Sequence, residues 1–193
     1  MSEHEPFTSE EPKNIEPPVE ENKVWREIVG WIRDIGIALL IVLFIINFVG
    51  QKTSVVGKSM EPTLYDGDQL VIDMLSYRFG EVERFDIIVF PHEPKLFYIK
   101  RIIGLPGEHI EIVNGKVEVN GEVIDDAYGF DIIRQYGDSL PMDIPDNEYF
   151  VMGDNRNSSQ DSRYTVVGTI EKEEIMGKAI VRVWPFSTFG ALE

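Results

Sequence analysis

Apolar positions are distributed in three different ways along this chain, and the changes divide it. From residue 1 to about 22 sizeable apolar side chains are sparse: after Met1, only Phe7, Ile15 and Val19 interrupt a run rich in Glu and Pro. Such a segment cannot bury enough surface to offset the entropy of ordering, so it is expected to be a disordered, acidic tail. Residues 28–49 are then strongly apolar and carry no charge from Ile35 to Val49. The apolarity runs all round a helix instead of along one stripe, which suits a lipid-facing span better than a core helix. The uncharged stretch is shorter than the roughly 20 residues a bilayer crossing needs, but Trp31 and a snorkelling Arg33 extend it into the headgroup zone. A transmembrane anchor over residues 23–50 is the expectation. A cleavable leader fits less well, because the start is long and acidic and no A-x-A-like site follows. Lys23, Arg26 and Arg33 before the span, against Lys52 and Lys58 after it, weakly favour a cytoplasmic N-terminus.

From residue 51 to 193 the period shortens to short β-branched runs broken by Gly, Pro and Asn. Leu70–Ile72, Asp86–Phe90, Tyr98–Ile103, His109–Val113, Lys116–Val119, Tyr149–Met152 and Lys178–Trp184 are predicted strands of one mainly antiparallel β domain. Asn114-Gly115 between two of them signals a type I′ hairpin, because both residues accept positive φ, and Asn120-Gly121 repeats the device. Pro106-Gly107 suits a type II turn.

Composition narrows the chemistry. The 193 residues include no cysteine, which removes disulfides, thiolate nucleophiles and Cys-based zinc sites. A net charge of −16 argues against a nucleic-acid partner, whose phosphates are bound by Lys and Arg.

Two segments stand out as chemical. Ser59-Met60-Glu61-Pro62-Thr63-Leu64 places a serine just beyond the apolar run. A serine hydroxyl needs a base, usually histidine. His4 lies in the tail, and His92 and His109 sit beside turns, where an exposed structural histidine is the ordinary occupant. Lysine can replace histidine if it is neutral, and apolar burial lowers its pKa. Lys100, between Tyr98-Ile99 and Ile102-Ile103, shares a strand face with Tyr98 and Ile102 while Arg101 points the other way. The second segment, Gly153 to Arg163, packs short polar side chains into one loop after a strand. It reads either as a plain surface turn or as a support shell in which Asp161 and Arg163 brace the loop.

Gly57–Leu64, Arg84–Phe90, Tyr98–Gly107 and Gly153–Arg163, in that order behind an apolar anchor, resemble the successive sequence boxes of bacterial type I signal peptidases, in particular the short Gram-positive-type members. The resemblance implies a single anchor followed by an extracytoplasmic antiparallel β domain, a fold shared with self-cleaving repressor peptidases. It implies Ser59 as nucleophile, Lys100 as general base and Ser159 as the hydroxyl that orients the lysine. It also implies Asp161 with Arg163, and Arg101 with Asp154, as supporting ion pairs. Val55, Leu64, Tyr98 and Ile99 fall where the family forms shallow pockets for small substrate side chains. The implied partners are secretory pre-proteins and the lipid bilayer, with no cofactor and no metal. Gly57 departs from members that place a serine there as second oxyanion donor. Two other readings compete. A self-cleaving repressor would need an N-terminal DNA-binding domain in place of this acidic tail, and a tethered peptide-binding β domain would leave the Ser59 and Lys100 contexts unexplained.

Overall fold

The computed structural model describes residues 21–48, 50–93, 96–129, 133–134 and 136–192, so the predicted tail lies outside the described residues except for its last two. The chain forms two compact units, Met1–Leu43 and Phe44–Glu193.

The first unit contains most of one helix, α1 (Glu21–Phe48), which starts two residues before the expected anchor and ends before Gly50, already the first residue of a strand. Its large apolar side chains, including Trp25, Trp31, Ile32 and Leu40, are exposed on every face. Among the described residues no helix is long and apolar enough to cross a membrane. The side chains of residues 42–49, the most apolar part of the expected span, lie outside the described ones.

Among its described residues the second unit has twelve strands. In chain order they are β1 (Gly50–Ser54), β2 (Gln69–Asp73), β3 (Ile87–Glu93), β4 (Leu96–Gly104), β5 (His109–Val113) and β6 (Lys116–Val119). There follow β7 (Glu122–Val123), β8 (Met142–Asp143), β9 (Glu148–Met152), β10 (Ile170–Glu171), β11 (Gly177–Trp184) and β12 (Gly190–Ala191). A large sheet runs in the order β1-β2-β11-β3-β4-β9-β10, with β12 beside β11, and a small one in the order β7-β6-β5-β8. All pairings are antiparallel.

The seven predicted strands are all present with shifted ends: β3 starts one residue later than predicted and runs on to Glu93, and β4 extends over Leu96–Gly104. The strands that hydropathy does not mark are short or polar: β1 is Gly-Gln-Lys-Thr-Ser, an edge strand with no apolar face to show. The turn chemistry has a direct physical outcome. Asn114 and Gly115 take φ of 52° and 77°, Asn120 and Gly121 take 54° and 81°, and Gly107 takes 77°. These are the left-handed conformations that the two hairpins and the Pro-Gly turn require.

Three apolar clusters hold the unit together. Ile88, Phe90, Ile102 and Val151 centre one, and Ile103, Ile110, Phe150 and Met152 another. Val55, Met60, Leu64, Leu70 and Ile87 centre the third. Each fully buried side chain of this size contributes about 1.5–3 kcal/mol. Inward-facing residues of adjacent strands alternate between these clusters, so β4, with Ile102 in one and Ile103 in another, is covered on both faces. That burial fixes its register: Lys100 stands opposite Ile88 of β3, and Arg101 opposite Met152 of β9. Lys100 and Arg101 are thereby held at the point where β9 gives way to the polar loop 153–163.

Candidate active site

Ser59 lies in the turn between β1 and β2, anchored by its buried neighbour Met60. Three hydrogen bonds tie this turn to the distant loop: the Asn155 N–H donates to the Ser59 carbonyl at 3.0 Å, Asn155 Nδ2 donates to the Lys58 carbonyl at 3.1 Å, and Thr63 Oγ1 donates to Asp154 Oδ2 at 2.5 Å. From the other direction β4 delivers Lys100, whose Nζ lies 2.9 Å from Ser59 Oγ and donates to the Ile99 carbonyl at 3.1 Å.

Lys100 is only 3% exposed. Among the described residues it has no ion-pair partner, and its amine sits over the Tyr98 ring at 4.7 Å from the centroid. Burial disfavours its charged form and lowers its pKa to about 8, against the opposing pull of the Asp161 and Asp154 carboxylates and with help from the Arg163 cation.

Around this pair the two predicted support pairs are fully buried. Arg101 grips Asp154 through Nε and Nη2 at 2.9 and 2.8 Å. Arg163 grips Asp161 in the same two-pronged manner at 2.7 and 2.8 Å. Bidentate geometry and complete burial make these charges mutually dependent, since removal of one would strand the other in a dry site. Asp161 also accepts from the Gly153 N–H at 3.0 Å, closing the loop on itself. Gly153 has no room for a side chain: a Cβ there would overlap both Ser159 Oγ and the Ser59 carbonyl. That close approach places Ser159 beside the serine turn. Ser159 Oγ is buried and has no hydrogen-bond partner among the described residues.

An open cleft of about 370 Å³ leads to the pair, lined by Val55, Val56, Ser59, Phe97, Tyr98, Ile99 and Lys100 among others. Its walls mix apolar side chains with the polar Thr53, Ser54, Lys58, Ser158 and Gln160, and Ser59 and Lys100 both open onto it. Leu64, expected in the same wall, is instead fully buried in the cluster with Val55 and Met60 and shapes the cleft only by supporting them. Gly57 takes a φ of 92°, and its N–H donates to Asp66 Oδ1 at 2.8 Å, so it is engaged within the turn.

The residues that sequence reasoning passed over are Thr63, Asp66, Asn155 and Arg156. Arg156 is buried, donates from Nε to the Gly153 carbonyl at 3.1 Å and pairs with Asp126. Thr63, Asn155 and Arg156 all sit inside the two chemical segments, so their position was the available signal, but which of them face inward is decided by the fold. His92, set aside as structural, stacks on Tyr98 with ring centroids 4.2 Å apart. His109 pairs with Asp143 at 2.6 Å on the small sheet.

The chain is similar to known proteins. Residues 28–184 match the family model described as signal peptidase, peptidase S26. The chain is 39% identical over 163 residues to a probable signal peptidase I-2 of Synechocystis sp., covering 80% of this chain and 72% of that protein. It is 34% identical over 180 residues to signal peptidase IB of Staphylococcus aureus (strain COL), covering 85% of this chain and 93% of the relative. A crystal structure of a signal peptidase I from Enterococcus faecalis V583 is 30% identical, covers 51% of this chain and 97% of its own, and superposes with a TM-score of 0.44.

Proposed function

The chain belongs to the signal peptidase family, peptidase S26, and we propose that it cuts secretory pre-proteins through a dyad of Ser59 and Lys100. It is thus a serine peptidase that removes signal peptides, and the further question is how its own residues do so. The observation that carries the dyad is the 2.9 Å contact between Lys100 Nζ and Ser59 Oγ at a lysine buried deeply enough to lower its pKa to about 8.

Neutral Lys100 takes the Ser59 proton as Ser59 Oγ attacks the scissile carbonyl. The backbone N–H of Ser59 supplies one oxyanion donor, a contribution of about 10² to 10³ in rate for a well-placed group. Gly57 N–H does not supply the second in this arrangement, being held by Asp66. Protonated Lys100 then passes its proton to the leaving amine, and the neutral amine recovered activates water to release the acyl group. Ser159 Oγ, buried and without a hydrogen-bond partner among the described residues, is suited to hold the amine in line. Val55, Tyr98 and Ile99 line the cleft, and as shallow apolar subsites they would favour the small side chains of A-x-A-like cleavage sites.

The expected topology is an anchor in α1 with the tail cytoplasmic and the β domain outside the membrane. The apolar side chains exposed all round α1 support the anchor, because lipid is the solvent in which such a surface is stable, and the slight excess of Lys and Arg before the span supports the orientation. Protease added to wall-stripped cells should digest the domain and spare an N-terminal epitope; the reverse pattern would refute this orientation.

The dyad is tested by incubating detergent-solubilised enzyme with a secretory precursor and sequencing the new N-terminus. Wild type should cut after a small residue, and Ser59→Ala should fold normally and cut nothing. Full activity in Ser59→Ala would refute the nucleophile.

A further inference from the structure

One short segment outside the large sheet, Asp126–Gly129, holds two buried arginines that flank the reacting groups. The Tyr128 ring covers Arg101, whose Cζ lies 3.5 Å from the ring centroid. Asp126 pairs with the Arg156 guanidinium. Gly129 rests against that same guanidinium so closely that a Cβ would overlap its Cζ. The segment is itself braced, since Asp126 Oδ1 accepts from the N–H groups of Tyr128 and Gly129 at 3.1 and 3.2 Å.

Phe85 completes the clamp. It packs on Tyr128 at a centroid distance of 5.5 Å and presents its carbonyl to Arg101 Nη1 at 2.7 Å. It does so from a φ of 75°, a left-handed conformation that a bulky side chain seldom adopts and that persists where its surroundings enforce it.

Each arginine is one step from chemistry. Arg101 follows Lys100 on β4 and holds Asp154, which also takes the Thr63 hydroxyl from the nucleophile's turn. Arg156 holds the Gly153 carbonyl, at the residue that packs against Ser159 and Ser59. From this geometry we infer that Tyr128 and Asp126 are positioning residues of the peptidase site, acting through Arg101 and Arg156. The inference rests on the Ser59–Lys100 reading.

The aromatic face over Arg101 does two things. It attracts the cation, and it keeps water from the strand segment that carries Lys100. Opening that face lets water reach the site and loosens Arg101 from Asp154. The charged groups acting on Lys100 are Asp154, Asp161 and Arg163, with Arg101 beside it on the strand and the Tyr98 ring under its amine. Better hydration and a less neutralised Asp154 both favour the ammonium form, so the two effects push the active-site titration the same way, to higher pH.

The test is steady-state kinetics of the full-length enzyme in detergent on a short peptide with an A-x-A-like site, across pH 6 to 10. The contact uses the ring face, so Tyr128→Phe should stay within about twofold of wild type. Tyr128→Leu keeps the bulk but removes that face. It should lower kcat about tenfold, leave KM within about twofold, and move the half-maximal pH upward by about half a unit. Asp126→Asn reaches the same loop through the other arginine and should lower kcat with KM preserved. Wild-type kcat and pH profile in Tyr128→Leu would overturn the inference. A lower melting temperature with an unmoved pH midpoint would also overturn it, because it marks a purely structural role. Ser59→Ala, run in parallel, separates the two readings: activity there defeats the dyad itself, whereas inactivity there beside a wild-type Tyr128→Leu defeats only the positioning role.

Discussion

The helix and the β domain invert the usual distribution of polarity in opposite senses. In α1 the apolar side chains are outside, with Trp31 and Leu40 exposed by 72% and 67%. In the domain the charges are inside: Arg101, Asp161 and Arg163 are 0% exposed and Asp154 3%. An exposed apolar helix is stable where the solvent is itself apolar, and a buried charge is stable where a partner and hydrogen bonds replace water. Arg101 with Asp154 and Arg163 with Asp161 meet that second condition as two bidentate pairs. Among the described residues Lys100 has no such partner, and in the proposed dyad it is the group whose charge has to be removed. On that proposal the paired charges build a dry frame, and Lys100 uses that dryness to act as a base.

The sharpest way to break this contrast is Lys100→Met. Activity should fall by at least about 10³-fold, as for removal of a base acting in concert with its nucleophile. Stability at pH 7 should rise by about 3 kcal/mol, the cost of holding a lysine at a pKa of about 8 instead of 10.5. The sign follows from the depressed value. The folded protein binds the proton less well than the unfolded chain, so the cost is full below pH 8 and disappears as pH rises from 8 to 10.5. Urea titrations at pH 7 and pH 10.5 check both size and direction; a variant less stable than wild type at pH 7 would show that the amine is favourably paired after all.

Removing a paired charge should do the opposite. Asp161→Ala leaves Arg163 buried without its partner and takes the acceptor from Gly153 N–H. The expected loss is about 3–5 kcal/mol, or roughly 10 °C in melting temperature, together with lost activity. Unchanged melting with lost activity, seen by calorimetry, would assign Asp161 a direct part in the chemistry.

The mildest perturbation is pH itself. If neutral Lys100 is the active form, kcat/KM on a soluble peptide should rise about tenfold per unit below pH 8 and level off above it. Lys100→Arg should show no such rise, because a guanidinium does not deprotonate in this range. A wild-type profile flat from pH 6 to 8 would exclude a lysine base of this pKa.

Local pattern was enough for the β strands with an apolar face, for the two Asn-Gly hairpins and for the Pro-Gly turn, because period-two hydropathy and positive-φ residues act within a few positions of the chain. It was also enough to single out Ser59, Lys100 and the loop 153–163 as candidates, because residue type alone marks a possible nucleophile, base or polar shell wherever it lies. It did not mark β1, whose polar sequence becomes a strand only because β2 offers it an edge. Nor did it assign Asp66, Arg156, Asp126 or Tyr128, each of which acts on a partner far away in sequence or across a turn. Leu64 illustrates the limit within a single segment: five residues after Ser59, it turns into the core while Ser59 faces Lys100. Which of several plausible side chains is dry, paired or free depends on groups that only the folded chain brings within a few ångströms. The lowered pKa of Lys100, on which the proposed base depends, exists only there, because desolvation is a property of the assembled surroundings and not of the lysine.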